Sequence, residues 1–247
     1  MTASLTMIGR SIRLSRRNFD LVIMAIVLPV LMMALFVYVF GGAIGSVQSY
    51  VDYVVPGILV LSTGYGATST AMSVTDDMKK GVVDRFRSMP INGFSLLTGH
   101  VVASVARNAL ATFAVVLVAL LMGFRPAASP VGWVLAMGVL LLYVLALSWL
   151  AAGFGVVARS VESASLLGFF MLFIPYLSSA FVPVETMPSW LRPVSEHQPI
   201  TPVIETVRAL LDDQPVSSGW LALAWSGGLL VAAFGWSTWL FGRINRR

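Results

Sequence analysis

The sequence predicts an all-α membrane protein with six transmembrane helices, an N-terminal interfacial helix and broken, re-entrant helices before the last span. Three observations carry this. Charged residues make up only 11% and hydrophobic residues 57% of the 247 positions, whereas soluble domains carry about 25% charge. Apolar runs near the ~20 residues that cross a hydrocarbon core recur six times. Basic residues collect on one side of those runs. Mean hydropathy is +0.86, no stretch is long enough for a separate soluble domain, and one membrane domain over residues 1–247 is expected.

Residues 4–18 are neither span nor secretory signal. Leu5, Ile8 and Ile12 share one helical face and Arg10, Arg13 and Arg17 another, the pattern of a helix lying among anionic headgroups. The six spans are then read at about 21–40, 54–75, 101–122, 131–157, 164–182 and 220–241. The first is too long for a signal-peptide core of roughly 7–15 residues. Pro29 and Pro175 are placed to kink their helices.

With the N-terminus cytoplasmic, one side holds Arg10, Arg13, Arg16, Arg17, Lys79, Lys80, Arg85, Arg87, Arg159, Arg243, Arg246 and Arg247. The other holds Arg125, Arg192 and Arg208. That asymmetry puts both termini in the cytoplasm. Arg107, two turns into the third span, is expected to snorkel to the cytoplasmic interface.

Between the second and third spans runs the charged stretch 75–91. Read as a helix, it places Val82, Phe86 and Met89 on one stripe with Val83 beside them, while Lys80, Asp84, Arg87 and Ser88 lie away from it. Pro90 and Asn92-Gly93 end it. Its periodicity fits a docking element or a solvated helix resting on headgroups equally well.

On the other side, residues 183–217 hold Pro183, Pro188, Pro193, Pro199, Pro202 and Pro215. Trp190, Leu191, Val194 and Ile200 make the segment too apolar for a free loop, and the prolines break it too often for a span. Short helices dipping into the outer leaflet against protein satisfy both constraints.

Two spans stand out. In the second, Ser62, Gly66, Ser69 and Ser73 recur at near-helical spacing, with Thr63 and Thr70 adjacent. Small residues allow close helix approach, and hydroxyls can line a polar path; both readings stand. The fifth carries Phe169, Phe170, Phe173 and Tyr176 around Pro175, either a cavity wall or a lipid-facing surface.

Several chemistries are excluded. There is no G-x-x-x-x-G-K-[ST] phosphate loop, so the chain is not read as its own ATPase. His100 and His197 fall on opposite sides of the predicted membrane and are each expected at an interface, so they cannot share a metal. No Asp, Glu or His is placed inside a span, which argues against membrane proteases and ion-coupled carriers. Without cysteine there is no thiolate chemistry, and no basic face has the aromatic or motif support that nucleic-acid binding requires.

Residues 181–208, which run from Phe181-Val-Pro through Met187-Pro188-Ser-Trp190-Leu and Gln198-Pro199-Ile200-Thr201 to Glu205 and Arg208, resemble the signature of type-2 ABC exporter permeases. Residues 81–91 are similar to the cytoplasmic loop of daunorubicin-resistance-like permeases, and residues 53–58 to the start of their second span. The resemblance implies a membrane-spanning permease in a bacterial plasma membrane. Two permease subunits, a homodimer or a heterodimer with the homodimer preferred, would pair with two separate ABC ATPase subunits, which hold the ATP and Mg; this chain binds no cofactor itself. It implies a coupling helix at 79–90, whose Val82, Val83, Asp84, Arg85, Phe86, Arg87 and Met89 dock on the ATPase. Ser62, Gly66, Ser69, Thr70, Ser73, Phe169, Phe173 and Tyr176 would line the translocation path. Cargo is expected to be a lipophilic or amphipathic small molecule such as a drug, secondary metabolite or lipid. A lipid-linked glycan or teichoic-acid-like polymer is the alternative, and a non-transporting assembly or sensory subunit the reading from a different class.

Overall fold

The computed structural model describes residues 19–44, 47–81 and 94–244. Helix α1 (Phe19–Ala34) passes through a π-helical stretch (Leu35–Phe40) into the short α2 (Gly41–Ile44). Next come α3 (Val47–Lys79), α4 (Phe94–Leu121), α5 (Pro130–Val157) and α6 (Val161–Phe173), the last continued by a 3-10 turn (Ile174–Leu177). A second 3-10 turn (Val184–Thr186), α7 (Arg192–His197) and α8 (Ile200–Leu211) precede the final α9 (Gly219–Ile244). The segment 4–18 expected to form an interfacial helix lies outside the described residues.

α3 is the axis of the bundle. It packs against α1, α4, α5, α6 and α8, while α5 contacts α3, α4, α8 and α9. Its 33 residues reach about 50 Å at 1.5 Å per residue, well beyond the expected 54–75. Among the described residues, four stretches are long and apolar enough to cross a membrane: Ile23–Phe40, Ser95–Leu121, Pro130–Val157 and Gly219–Arg243. α3 is not one of them, because hydroxyls dilute its hydropathy. Being sheathed in other helices, it has little need of lipid-like side chains; Val54, Val55, Ile58, Leu59 and Leu61 are wholly buried. Its hydroxyls turn back on the helix: Ser62 donates to the Leu59 carbonyl, Thr63 to Val60, Ser69 to Gly66 and Ser73 to Ser69. That local pairing lets a polar-dotted helix sit in an apolar bundle.

Close approach is set by glycines, as association between apolar helices in lipid requires. A Cβ at Gly155 on α5 would meet the Ala71 carbonyl at 2.5 Å. At the same crossing Thr75 Oγ1 donates at 2.9 Å to the carbonyls of both Ala71 and Gly155. α5 starts where Ser129 caps it, its Oγ accepting from Gly132 N at 3.1 Å, with Pro130 in the first turn.

The fifth apolar segment differs from the expected 164–182. A capping box of Ser160 and Ser163 starts α6 at Val161, and apolar helix continues only to Leu177. Pro175 lacks the N–H that another α-turn needs, and Ser178 is extended. That stretch is 17 residues long, at the lower end of what a crossing takes. The charged stretch also divides differently. Thr75–Lys79 is the last turn of α3, and the helix stops at Gly81, which has φ 65°. Residues 82–93 lie outside the described residues, and with them Val82, Val83, Asp84, Arg85, Phe86, Arg87 and Met89.

Candidate functional site

Three constellations bear on function: a groove beside α3, a carbonyl clamp at one end of it, and a buried polar row along α4.

The groove, about 390 Å³, lies between α1, α3 and α6. Met24 and Ala25 line one wall, Tyr65, Gly66, Thr68, Ser69 and Met72 the floor, and Ser165, Gly168, Phe169 and Leu172 the other wall. Among the described residues, no charged side chain lines it. Of the residues assigned to a path from sequence, the fold brings Gly66, Ser69 and Phe169 together here. Ser62 and Thr70 are instead buried at 1% exposure, on faces of α3 turned into the bundle. Ser73 lies one turn further along and is half-buried. Phe173 and Tyr176 extend an aromatic row away from the groove. Phe169 and Phe173 centroids are 4.5 Å apart, Phe173 and Tyr176 6.0 Å, and Tyr176 stacks on Phe181 at 4.7 Å. Phe181 in turn stacks on Phe36 of the π-helical stretch at 4.1 Å. The contribution of α1 has no counterpart in the sequence reading, since Met24 and Ala25 look like any span residues.

The clamp explains most of the residues singled out between 187 and 208. Where the chain leaves its helix after Leu177, its carbonyls lose their intrahelical donors. Arg208 of α8 supplies a donor to one of them, Nη2 to Ser179 O at 2.8 Å, and ties it to α3 through Tyr53 O, which accepts from Nη2 at 3.1 Å and Nε at 3.2 Å. Its guanidinium lies 3.9 Å from the centre of the Tyr53 ring, a cation–π contact. Tyr53 and Tyr50 hydroxyls donate to Ser179 O and Phe181 O at 2.9 and 3.0 Å, and Thr201 Oγ1 accepts from Ser179 N at 3.4 Å. Glu205 accepts from Ser218 at 3.2 Å. Pro199 stands at the N-cap of α8. Met187 is buried, its carbonyl taking Arg192 Nε at 2.8 Å and its sulfur facing Ser195 Oγ at 3.1 Å. Pro188 O accepts from Leu191 N at 2.9 Å, and Trp190 is exposed.

Along α4, His100, Ser104, Arg107 and Asn108 are all buried. This corrects two expectations. Arg107 does not snorkel: it is 8% exposed, and its Nη2 donates to Thr70 Oγ1 at 3.2 Å. His100 is not interfacial but faces Asp77 across the α3–α4 contact, Nε2 to Oδ2 3.0 Å. Ser148 of α5 donates to Ser104 Oγ at 2.9 Å, and Asn108 Nδ2 to Ser104 O at 3.0 Å. For His100 the cause is helix length: α3 runs to Lys79 and α4 starts at Phe94, so a residue read as a loop flank lies between helices. For Arg107 it is the hydroxyl of Thr70, which takes its guanidinium on the α3 side.

Gly66 joins the groove floor to this row. A Cβ there would collide with the Asn108 side-chain amide. Gly66→Ala is therefore expected to destabilise the fold by about 1–2 kcal/mol through overpacking. Asn108→Ala should relieve that term, giving a coupling energy of about 1 kcal/mol in a double-mutant cycle read by thermal unfolding in detergent.

Comparison with known proteins places these features in a family. A profile described as ABC-2 type transporter matches residues 2–211. The chain is 32% identical over 214 residues to the daunorubicin resistance ABC transporter permease protein DrrB1 of Streptomyces coeruleorubidus, covering 85% of this chain and 75% of that one. It is 25% identical over 224 residues to the probable doxorubicin resistance ABC transporter permease protein DrrC of Mycobacterium tuberculosis, covering 87% and 79%. Over 219 residues it is 28% identical to the putative transport permease ycf38 of Cyanophora paradoxa, covering 85% and 72%.

Proposed function

Since the chain belongs to the ABC-2 type transporter family and is a multi-pass membrane permease, we propose that it is the membrane subunit of an ATP-driven exporter of lipophilic or amphipathic small molecules. The observation that carries the cargo class is the groove. Its lining combines apolar side chains with the hydroxyls of Tyr65, Thr68, Ser69 and Ser165, and carries no charge among the described residues. Such a surface suits a flat, apolar molecule with a few polar groups, and offers little to a polyanion. Drug resistance in the names of two relatives is consistent with that class.

In this reading two copies pair about a two-fold axis with two ATPase subunits, in a bacterial plasma membrane with both termini cytoplasmic. ATP and Mg belong to the ATPase. Segment 79–90 docks on it, Phe86 and Met89 supplying apolar anchors while Asp84, Arg85 and Arg87 set register by charge-assisted bonds. ATP binds the closed ATPase dimer more tightly than the open one, and that difference drives the change of access in the membrane. The outer helices α7 and α8 stay seated against the spans and close the far end of the path.

The test is reconstitution of the permease with its genomically adjacent ATPase, with ATP hydrolysis and daunorubicin uptake followed in inside-out vesicles. Phe86→Asp is expected to abolish both permease-dependent ATPase stimulation and uptake. Unchanged stimulation and uptake would sink the docking assignment. A wild-type complex that hydrolyses ATP yet moves neither daunorubicin nor an uncharged lipophilic dye would sink the cargo class.

A further inference from the structure

The exporter reading leaves unused the buried Asp77–His100 pair. Its side chains are 5% and 7% exposed and approach to 3.0 Å. They stand on the last turn of α3 and the second turn of α4, so they tie together the two helices from which residues 82–93 depart and to which they return. Around the pair, Thr75 Oγ1 fixes the same end of α3 to the Gly155 carbonyl of α5. Neighbouring Asp76 instead pairs with Lys80 at 2.6 Å in an exposed i,i+4 bridge, which leaves the inward position to Asp77. Burying two ionisable groups between apolar helices is unfavourable unless they are paired, and a well-packed apolar pair would often be at least as stable. The benefit of such a pair is geometric: it holds one relative register of two helices.

We propose that Asp77 and His100 form a clasp that makes the ends of α3 and α4 move as one body, so that displacement at the intervening segment reaches the groove floor rather than being lost as splaying of the two helices. The groove residues Tyr65, Gly66, Thr68, Ser69 and Met72 stand on the same uninterrupted helix as Asp77. A shift at that end therefore moves one whole face of the groove against α1 and α6. Both residues are positioning residues; neither is placed against cargo or nucleotide. The proposal rests on the exporter reading for its consequence but not for its geometry, and the test separates the two.

The chain contains no cysteine, so spin labels at Lys79→Cys and Thr98→Cys report the α3–α4 spacing without background. In the purified permease in lipid nanodiscs, the label distance distribution is expected to be narrow. Asp77→Asn and His100→Leu should each broaden it, and the exchange of the two residues (Asp77→His with His100→Asp) should narrow it again. In the reconstituted complex the single variants are expected to keep ATP hydrolysis while daunorubicin moved per ATP falls about tenfold, and the exchanged pair should recover that ratio. Single variants with an unbroadened distribution would overturn the clasp. So would an apolar Asp77→Leu, His100→Leu pair that matches the wild type in both spacing and coupling ratio. If the wild type pumps neither daunorubicin nor the uncharged dye, the cargo class fails, and the spacing measurement still decides the clasp.

Discussion

Arg208→Ala is expected to destabilise the permease by about 3–5 kcal/mol, since two carbonyls each lose a charged donor. Three donor contacts vanish at once, two to Tyr53 O and one to Ser179 O. Hydrogen bonds to charged groups contribute roughly 1.5–3 kcal/mol each, and the Tyr53 hydroxyl alone then remains on Ser179 O. Because Arg208 joins Ser179 O of the chain break after α6 to Tyr53 O of α3, the loss should free residues 178–183 together with α8. Limited proteolysis in detergent should cleave that segment in the variant and spare it in the wild type. Arg208→Lys should recover only part of the loss. An ammonium is a single donor centre, and it cannot span both carbonyls while stacking on Tyr53 as a planar guanidinium does. Full stability in Arg208→Lys would show that charge alone suffices.

Gly57→Leu is the second large effect. A Cβ on Gly57 would stand 2.5 Å from the Ala180 carbonyl oxygen and 2.7 Å from its Cα. Both are backbone atoms, so no rotamer change relieves the clash, and the cost should reach the upper end of about 1–3 kcal/mol for overpacking, or beyond it. The displaced residue lies between Ser179 and Phe181, whose carbonyls the clamp holds, so the damage should spread to Arg208 and α8. Gly138→Ala on α5 is the matched control: nothing lies within 4 Å of its Cβ position, and better helix propensity should stabilise it by up to about 1 kcal/mol. Thermal unfolding of both variants in one detergent makes the comparison. Equal midpoints for the two would refute the close α3–Ala180 contact.

Much of this architecture was legible because bilayer thickness acts on composition alone. Apolar length marked the spans now seen as α1, α4, α5 and α9, and the run of prolines marked where the chain breaks before α9. The signature around Gln198, Thr201 and Arg208 was legible as a family pattern, although its physical task was not. Nothing local says that Arg208 will meet carbonyls 29 and 155 positions away in sequence. The docking stripe at Phe86 and Met89 remains a matter of periodicity and resemblance.

By itself, then, the sequence determined that the chain is a helical membrane protein, roughly where it crosses, and which family it resembles. Hydropathy and spacing are local quantities, and a bilayer reads them one segment at a time. Only the tertiary structure decided that the most polar of the long helices is the central one, with the hydroxyls of Ser62, Thr63, Ser69 and Ser73 paired to its own backbone. It also decided that Gly66 and Ser69 face a groove while Ser62 and Thr70 do not, and that Asp77 and His100 meet. Those outcomes depend on which helix stands beside which and on rotation about each axis. A residue facing lipid and one facing a neighbouring helix are equally apolar in composition, so the choice between them is made by packing.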